Sequence, residues 1–166
     1  MGSKLENLSS EIIVGELVNG DHLADLVTVL SEYRIDDMGA SVPYNDQEVI
    51  DLKRRLLEQK SIEVFLLYVN KQIAGGSVCF RSMSTFSTKN IVNIHDICIL
   101  KDFRGNGFGR KLMTHIIDYA KELNCSKVTL EVREDNVAAR KLYRSLMFSE
   151  STPVMNFWSK TLACSR

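Results

Sequence analysis

The stretch from Arg104 to Arg110, RGNGFGR, constrains this chain more than any other. Three glycines alternate with Asn106 and Phe108 directly before KLMTHIIDYAKEL, a good amphipathic helix pattern. Glycine inside a helix costs about 1 kcal/mol against alanine. The stretch is therefore read as a loop that opens a helix, after the β-branched strand pattern IVNIHDICIL at 91–100. Strand, glycine loop and helix together form an anion-binding arrangement. The first amides of the helix point outward, the macrodipole favours negative charge, and glycines let a ligand approach the backbone. Arg104 and Arg110 flank the loop and would add charge-assisted contacts.

Two phosphate motifs are excluded. No GxxxxGK[ST] run exists, and a dinucleotide fingerprint would need glycine at the position of Arg110. The loop also follows strands joined as hairpins, where a dinucleotide site would open a repeated βαβ unit.

The rest of the pattern predicts one α/β domain spanning 1–166, with residues 1–10 outside the ordered part and Met1–Ser3 read as a cloning remnant. A chain of 166 residues, 45% hydrophobic and 25% charged, can bury one sizeable core. A first strand is expected at 11–18, then a helix capped by Asp21 with Leu23, Leu26, Val27 and Leu30 on one face. Asn45 and Glu48 predict a capping box opening a helix to about Gln59. Strands follow at 62–69 and 73–80, joined as a hairpin, and 81–90 reads as a polar connection. After the glycine-loop helix come a strand at 127–132, a helix capped by Asn136, and a closing strand at 154–162. Hairpins are antiparallel and helical crossovers parallel, so the sheet is expected to be mixed and mostly antiparallel, flanked by about four helices on both faces.

Charge and cysteines narrow the function. With 21 basic and 21 acidic residues the formal net charge is +0, so neither nucleic acid nor a membrane surface is an expected partner. Cys79, Cys98, Cys125 and Cys164 form no CxxC pair, and no metal site is expected. No secretory signal or membrane-spanning run is evident, which makes a cytoplasmic location the expectation.

The spacing Arg104, Gly107, Gly109 gives Arg-x-x-Gly-x-Gly, and NVAARKLYRSLMF follows one helix and one strand later. This pair of motifs resembles the GCN5-related N-acetyltransferase (GNAT) superfamily over most of the chain, with some resemblance to its polyamine and diamine branch. Met147 is a departure, since the family usually has glycine before the residue at Phe148.

The resemblance implies acetyl-CoA as acyl donor and a small primary amine as acceptor, transfer by direct attack, and a homodimer. The backbone of Gly105, Asn106, Gly107, Phe108, Gly109 and Arg110 would cradle the pyrophosphate. Ile97, Cys98 and Ile99 would pair with the pantetheine arm, Asn136 would hydrogen-bond it, and an amide at a bulge near Ile97–Cys98 would polarise the thioester. Tyr143 would be the general acid. A phenol with a pKa near 10 can protonate a thiolate whose thiol lies near 8.5 or stabilise it by a hydrogen bond. His95 stands where polyamine and diamine members carry a glutamate, and an imidazole is a competent base near neutrality. Strand alternation would send His95 and Asp96 to opposite faces. Tyr33, Asp36, Asp37 and Phe86 are the expected acceptor contacts, the last in the hairpin segment SMSTFSTKN. Glu131, Arg133, Glu134 and Asp135 mix signs and read as surface. A protein N-terminal or lysine acetyltransferase and a non-catalytic CoA-binding module are the rival readings.

Overall fold

A computed structural model describes residues 9–162. The chain runs β1 (Ser10–Val14), α1 (Gly20–Ile35), α2 (Asp46–Glu58), β2 (Ile62–Val69), β3 (Gln72–Ser84), β4 (Lys89–Ile99), α3 (Phe108–Glu122), β5 (Lys127–Leu130) and α4 (Val137–Ser145), with a single 3-10 turn at Lys101–Phe103. The five strands lie in sequence order. β1 to β4 pair antiparallel, and β5 joins β4 in parallel through the α3 crossover.

Each helix start has a local cause. Asn19 caps α1 by accepting from the Asp21 amide, so Asp21 lies in the first turn and is not itself the cap. Asn45 and Glu48 form the expected capping box of α2, with both bonds at 2.9 Å. Asn136 caps α4 through the Ala139 amide. α3 alone among the four begins without a side-chain cap, on Gly107 in the left-handed region at φ 79°.

Two cores sandwich the sheet. Under α1 and α2 lie Leu26, Leu30, Leu56, Val64, Leu66 and Val78. Under α3 lie Phe65, Cys79, Val92, Ile94, Leu112 and Ile116, with Tyr143 and Phe148 packed against them. Apolar residues on both faces of the central strands explain the near-continuous hydrophobic run IEVFLLYV.

Three expectations are corrected. β1 ends at Val14, and residues 15–18 are not strand. The polar segment 81–90 is mostly strand: β3 and β4 continue as a ribbon to a tight turn at 85–88, paired from Arg81↔Val92 to Ser84↔Lys89. Backbone pairing there outweighs a serine-rich composition, because a ribbon outside the core needs no apolar face. Residues 154–162 form no strand and lie exposed.

Candidate functional site

β4 pairs with β3 along its length, but with β5 only from Ile91 to Ile94. From His95 onward its outer edge diverges from β5. Strand amides and carbonyls project to both sides, so Ile97, Cys98 and Ile99 present an edge that can take an extended ligand chain.

A bulge sits at the point of divergence. The β3–β4 register passes from Cys79↔Ile94 to Val78↔Asp96, leaving His95 as the extra residue. The bulge thus falls at His95, ahead of the expected Ile97–Cys98. It also overturns the expected opposition of His95 and Asp96. Val78 and Phe80 belong to the α1–α2 face. Asp96 is paired with Val78, and His95 packs edge-on against Phe80 with ring centroids 5.4 Å apart. Both side chains therefore lie on that face and line one cavity of about 650 Å³ between the sheet, α1 and α2. Burial pushes the Asp96 carboxyl above its ordinary pKa, and the neighbouring His95 opposes that shift.

A smaller cavity of about 150 Å³ occupies the splay between β4 and β5. It brings together Tyr33 from α1, His95 and Ile97 from β4, and Asn136 and Tyr143 from the α4 region. Tyr33, Met38 and His95 line both cavities, which are therefore neighbours. Burial first, and then the proximity of Tyr33, raises the Tyr143 hydroxyl above its ordinary value. The phenol is thereby kept protonated. Asn136 spends its side-chain oxygen on the α4 cap, leaving its amide nitrogen as the donor for a ligand.

The glycine loop lies at the other end of the open edge. Gly105 and Gly107 both adopt φ 79°, and a Cβ on either would meet no protein atom within 4 Å. Backbone conformation, together with the open space above it, calls for glycine there. The side-chain amide of Asn106 donates to the carbonyls of Phe103 and Arg104 and so braces the loop. Phe108 is buried and anchors the first turn of α3, and Gly109 lies beside Leu142 and Ile99 with room for an ordinary contact. No acidic residue lies in this first turn, so its amides face an anion without competition. Arg110 bonds to Ser145 on α4 at 2.7 Å.

Several expected contacts are engaged elsewhere. Nε of Arg104 donates to the Ile99 carbonyl at 2.8 Å, and its guanidinium pairs with Asp36 at 2.9 Å. Asp36 also accepts from the Met38 amide, and these partners hold its carboxyl below the ordinary range. The two residues strap the loop after α1 to the end of β4, and neither lines either of these two cavities. Asp37 is exposed and lines neither cavity, and Phe86 is fully exposed at the turn of the β3–β4 ribbon.

Glu131 and Arg133 are exposed, as expected, but they also line the splay cavity, which the sequence reading did not foresee. The Glu131 carboxylate accepts from the Asn93 side-chain amide at 3.3 Å. Their mixed signs conceal that β5 ends at Leu130 and that the chain then skirts the open edge. Arg34, Tyr44 and Arg55 on the larger cavity were also missed.

An open β4 edge with a bulge at its splay, a glycine loop at one end and a half-buried tyrosine at the other are the arrangement expected of an acyltransferase. Residues 27–148 match the Acetyltransferase (GNAT) family model, and the chain belongs to that family, an acyltransferase family that uses acetyl-CoA. An uncharacterized N-acetyltransferase of Archaeoglobus fulgidus is 31% identical over 128 residues, covering 75% of this chain and 85% of the relative. The [ribosomal protein bS18]-alanine N-acetyltransferase of Escherichia coli K12 is 32% identical over 98 residues, covering 57% of this chain and 64% of that enzyme. Among solved structures, a probable acetyltransferase superposes with a TM-score of 0.78 at 22% identity, covering 92% of this chain and 99% of the other. That likeness concerns the fold.

Proposed function

We propose that the protein transfers an acetyl group from acetyl-CoA to the primary amine of a small molecule, in a ternary complex at the splay of β4 and β5. The observation that carries this reading is the convergence of Tyr33, His95, Asn136 and Tyr143 on one cavity at the end of the open β4 edge.

The donor site fits the chain's own groups. Uncapped amides at the start of α3, with open space above Gly105 and Gly107, suit a pyrophosphate. The β4 edge from Ile97 to Ile99, unpaired by β5 although the Ile99 carbonyl is taken by Arg104, suits the amide-bearing arm, and the Asn136 nitrogen offers a further donor. Acetyl-CoA supplies an activated thioester. A backbone amide at the His95 bulge would donate to its carbonyl. An alkyl ammonium with a pKa near that of lysine, about 10.4, must lose a proton before it attacks. Two groups in the splay cavity can take it, the His95 imidazole and the Glu131 carboxylate. The freed amine attacks the thioester carbonyl, the C–S bond breaks, and Tyr143 protonates the thiolate while the proton still on the amine nitrogen is returned to the phenol, leaving the neutral amide and CoA thiol.

A second reading has the α-amine of a polypeptide as acceptor. It is favoured by the name of the E. coli relative and by a cavity of about 650 Å³, room for more than a simple amine. A panel of diamines, amino acids and short peptides, followed by thiol release from acetyl-CoA, separates the two. Replacing His95 by alanine and Glu131 by glutamine identifies the base. No turnover with any amine would refute the reading.

A further inference from the structure

The larger cavity has an uneven charge distribution. Its lining holds two guanidinium groups, Arg34 and Arg55, and one carboxylate, Asp96, at the floor beside His95. Arg34 is committed: it pairs with Glu48 at 3.0 Å, donates to the Val42 carbonyl and lies 4.0 Å above the Tyr44 ring. Arg55 is different. The two carboxylates one turn away on the same helix, Asp51 and Glu58, are both held by Arg54, at 3.1 and 2.9 Å. Among the described residues Arg55 has no ion pair, and it lines the cavity on α2 alongside the apolar Leu52 and Leu56.

From this arrangement, and resting on the acetyl-transfer reading above, we infer that the acceptor is an amine that also bears a carboxylate, which Arg55 receives while the amine reaches His95 and Tyr143. Arg55 is then a specificity-determining residue. The lining orients such a molecule in one direction only. The unpaired cation, Arg55, lies on α2, His95 and Asp96 lie at the floor, and the apolar side chains between suit a short aliphatic spacer. A polyamine would present positive charge to the unpaired Arg55 and find Asp96 as the single carboxylate of the lining. The carboxylate can belong to a free acidic amino acid or to an acidic side chain near a peptide N-terminus, and the two sources share this chemistry.

The test uses the full chain with acetyl-CoA and matched acceptors: alanyl-glutamate, alanyl-glutamine and alanyl-lysine peptides with amidated ends, free glutamate, and spermidine. Arg55→Ala should raise KM for the glutamate peptide about tenfold, the size of one lost charge-assisted bond, and leave kcat unchanged. Arg55→Glu should raise it further and improve use of the lysine peptide, with the glutamine peptide little affected. The free-glutamate and peptide arms distinguish the two sources. A glutamate-peptide KM that is unchanged in Arg55→Glu, or spermidine as the preferred acceptor of the wild type, overturns the inference and leaves acetyl transfer standing. If no acceptor is acetylated, calorimetric titration of the CoA-loaded protein with the glutamate peptide decides. Binding that Arg55→Glu abolishes upholds the carboxylate site, and binding that is absent or indifferent to Arg55 overturns it. Arg55 is exposed, so neither variant endangers folding.

Discussion

Asp96 and Met147 both break a local rule, with different consequences. Burial raises the Asp96 pKa, so the folded state binds its proton more tightly than the unfolded chain does. The stability this gives is fully present below the unfolded pKa and is lost as pH rises through the folded value. At neutral pH the ionised carboxylate is a net cost. Asp96→Asn should therefore raise the melting temperature at pH 7–8, with an advantage that disappears toward pH 4. An Asp96→Asn protein that melts lower at neutral pH would mean that the carboxylate has a cationic partner in solution. Met147 stands at φ 67° and is 90% exposed just after α4. A left-handed non-glycine residue costs about 1–2 kcal/mol, and this side chain packs on nothing that would compensate. Met147→Gly should gain up to about 1 kcal/mol in urea unfolding, the rest being offset by the flexibility glycine adds to the unfolded chain. Unchanged or lower stability would show that the turn relaxes in solution. The departure at Met147 is legible in the sequence as a missing glycine, but its cost appears only with the backbone angle.

At the scale of elements, the α3 start is the proposed donor site. Gly107→Ala should cost about 1–2 kcal/mol in stability, because its φ of 79° is unfavourable for any side chain. It should also weaken CoA binding by more than the glycine loop's strain explains, since the new methyl group would stand in the open space above the loop. Calorimetric titration with CoA checks this, and a normal affinity alongside the stability loss would place the pyrophosphate elsewhere. Much of this level can be read from the sequence. The capping box at Asn45, the buried run at 62–69, the glycine loop and the Asn136 cap each have a short-range cause that the residues display. The parts that escape such reading have long-range causes. The bulge at His95 follows from how β4 fits two neighbours at once, and it moves Asp96 to the face that alternation denies it. The Arg104–Asp36 strap joins residues whose proximity depends on how α1 docks. Glu131 and Arg133 enter the cavity only because β5 stops short of the open edge.

For the whole molecule, the sheet would hold the two proposed functions apart. The antiparallel part, backed by α1 and α2, forms the wall of the larger cavity, the proposed acceptor site. The β4–α3–β5 crossover on the other side opens the edge and carries the loop. His95 belongs to both, which is why a single strand irregularity can set the distance between donor and acceptor.

The central claim is acetyl transfer at the splay with Tyr143 as the acid. Its most direct test supplies isotopically labelled acetyl-CoA and a primary amine acceptor to the wild type and to Tyr143→Phe, and follows label in the acceptor by mass spectrometry. The account predicts labelled amide from the wild type and roughly a hundredfold slower transfer from the variant, the lower range for loss of a general acid. CoA affinity should be unchanged. Transfer at the wild-type rate by Tyr143→Phe would contradict it.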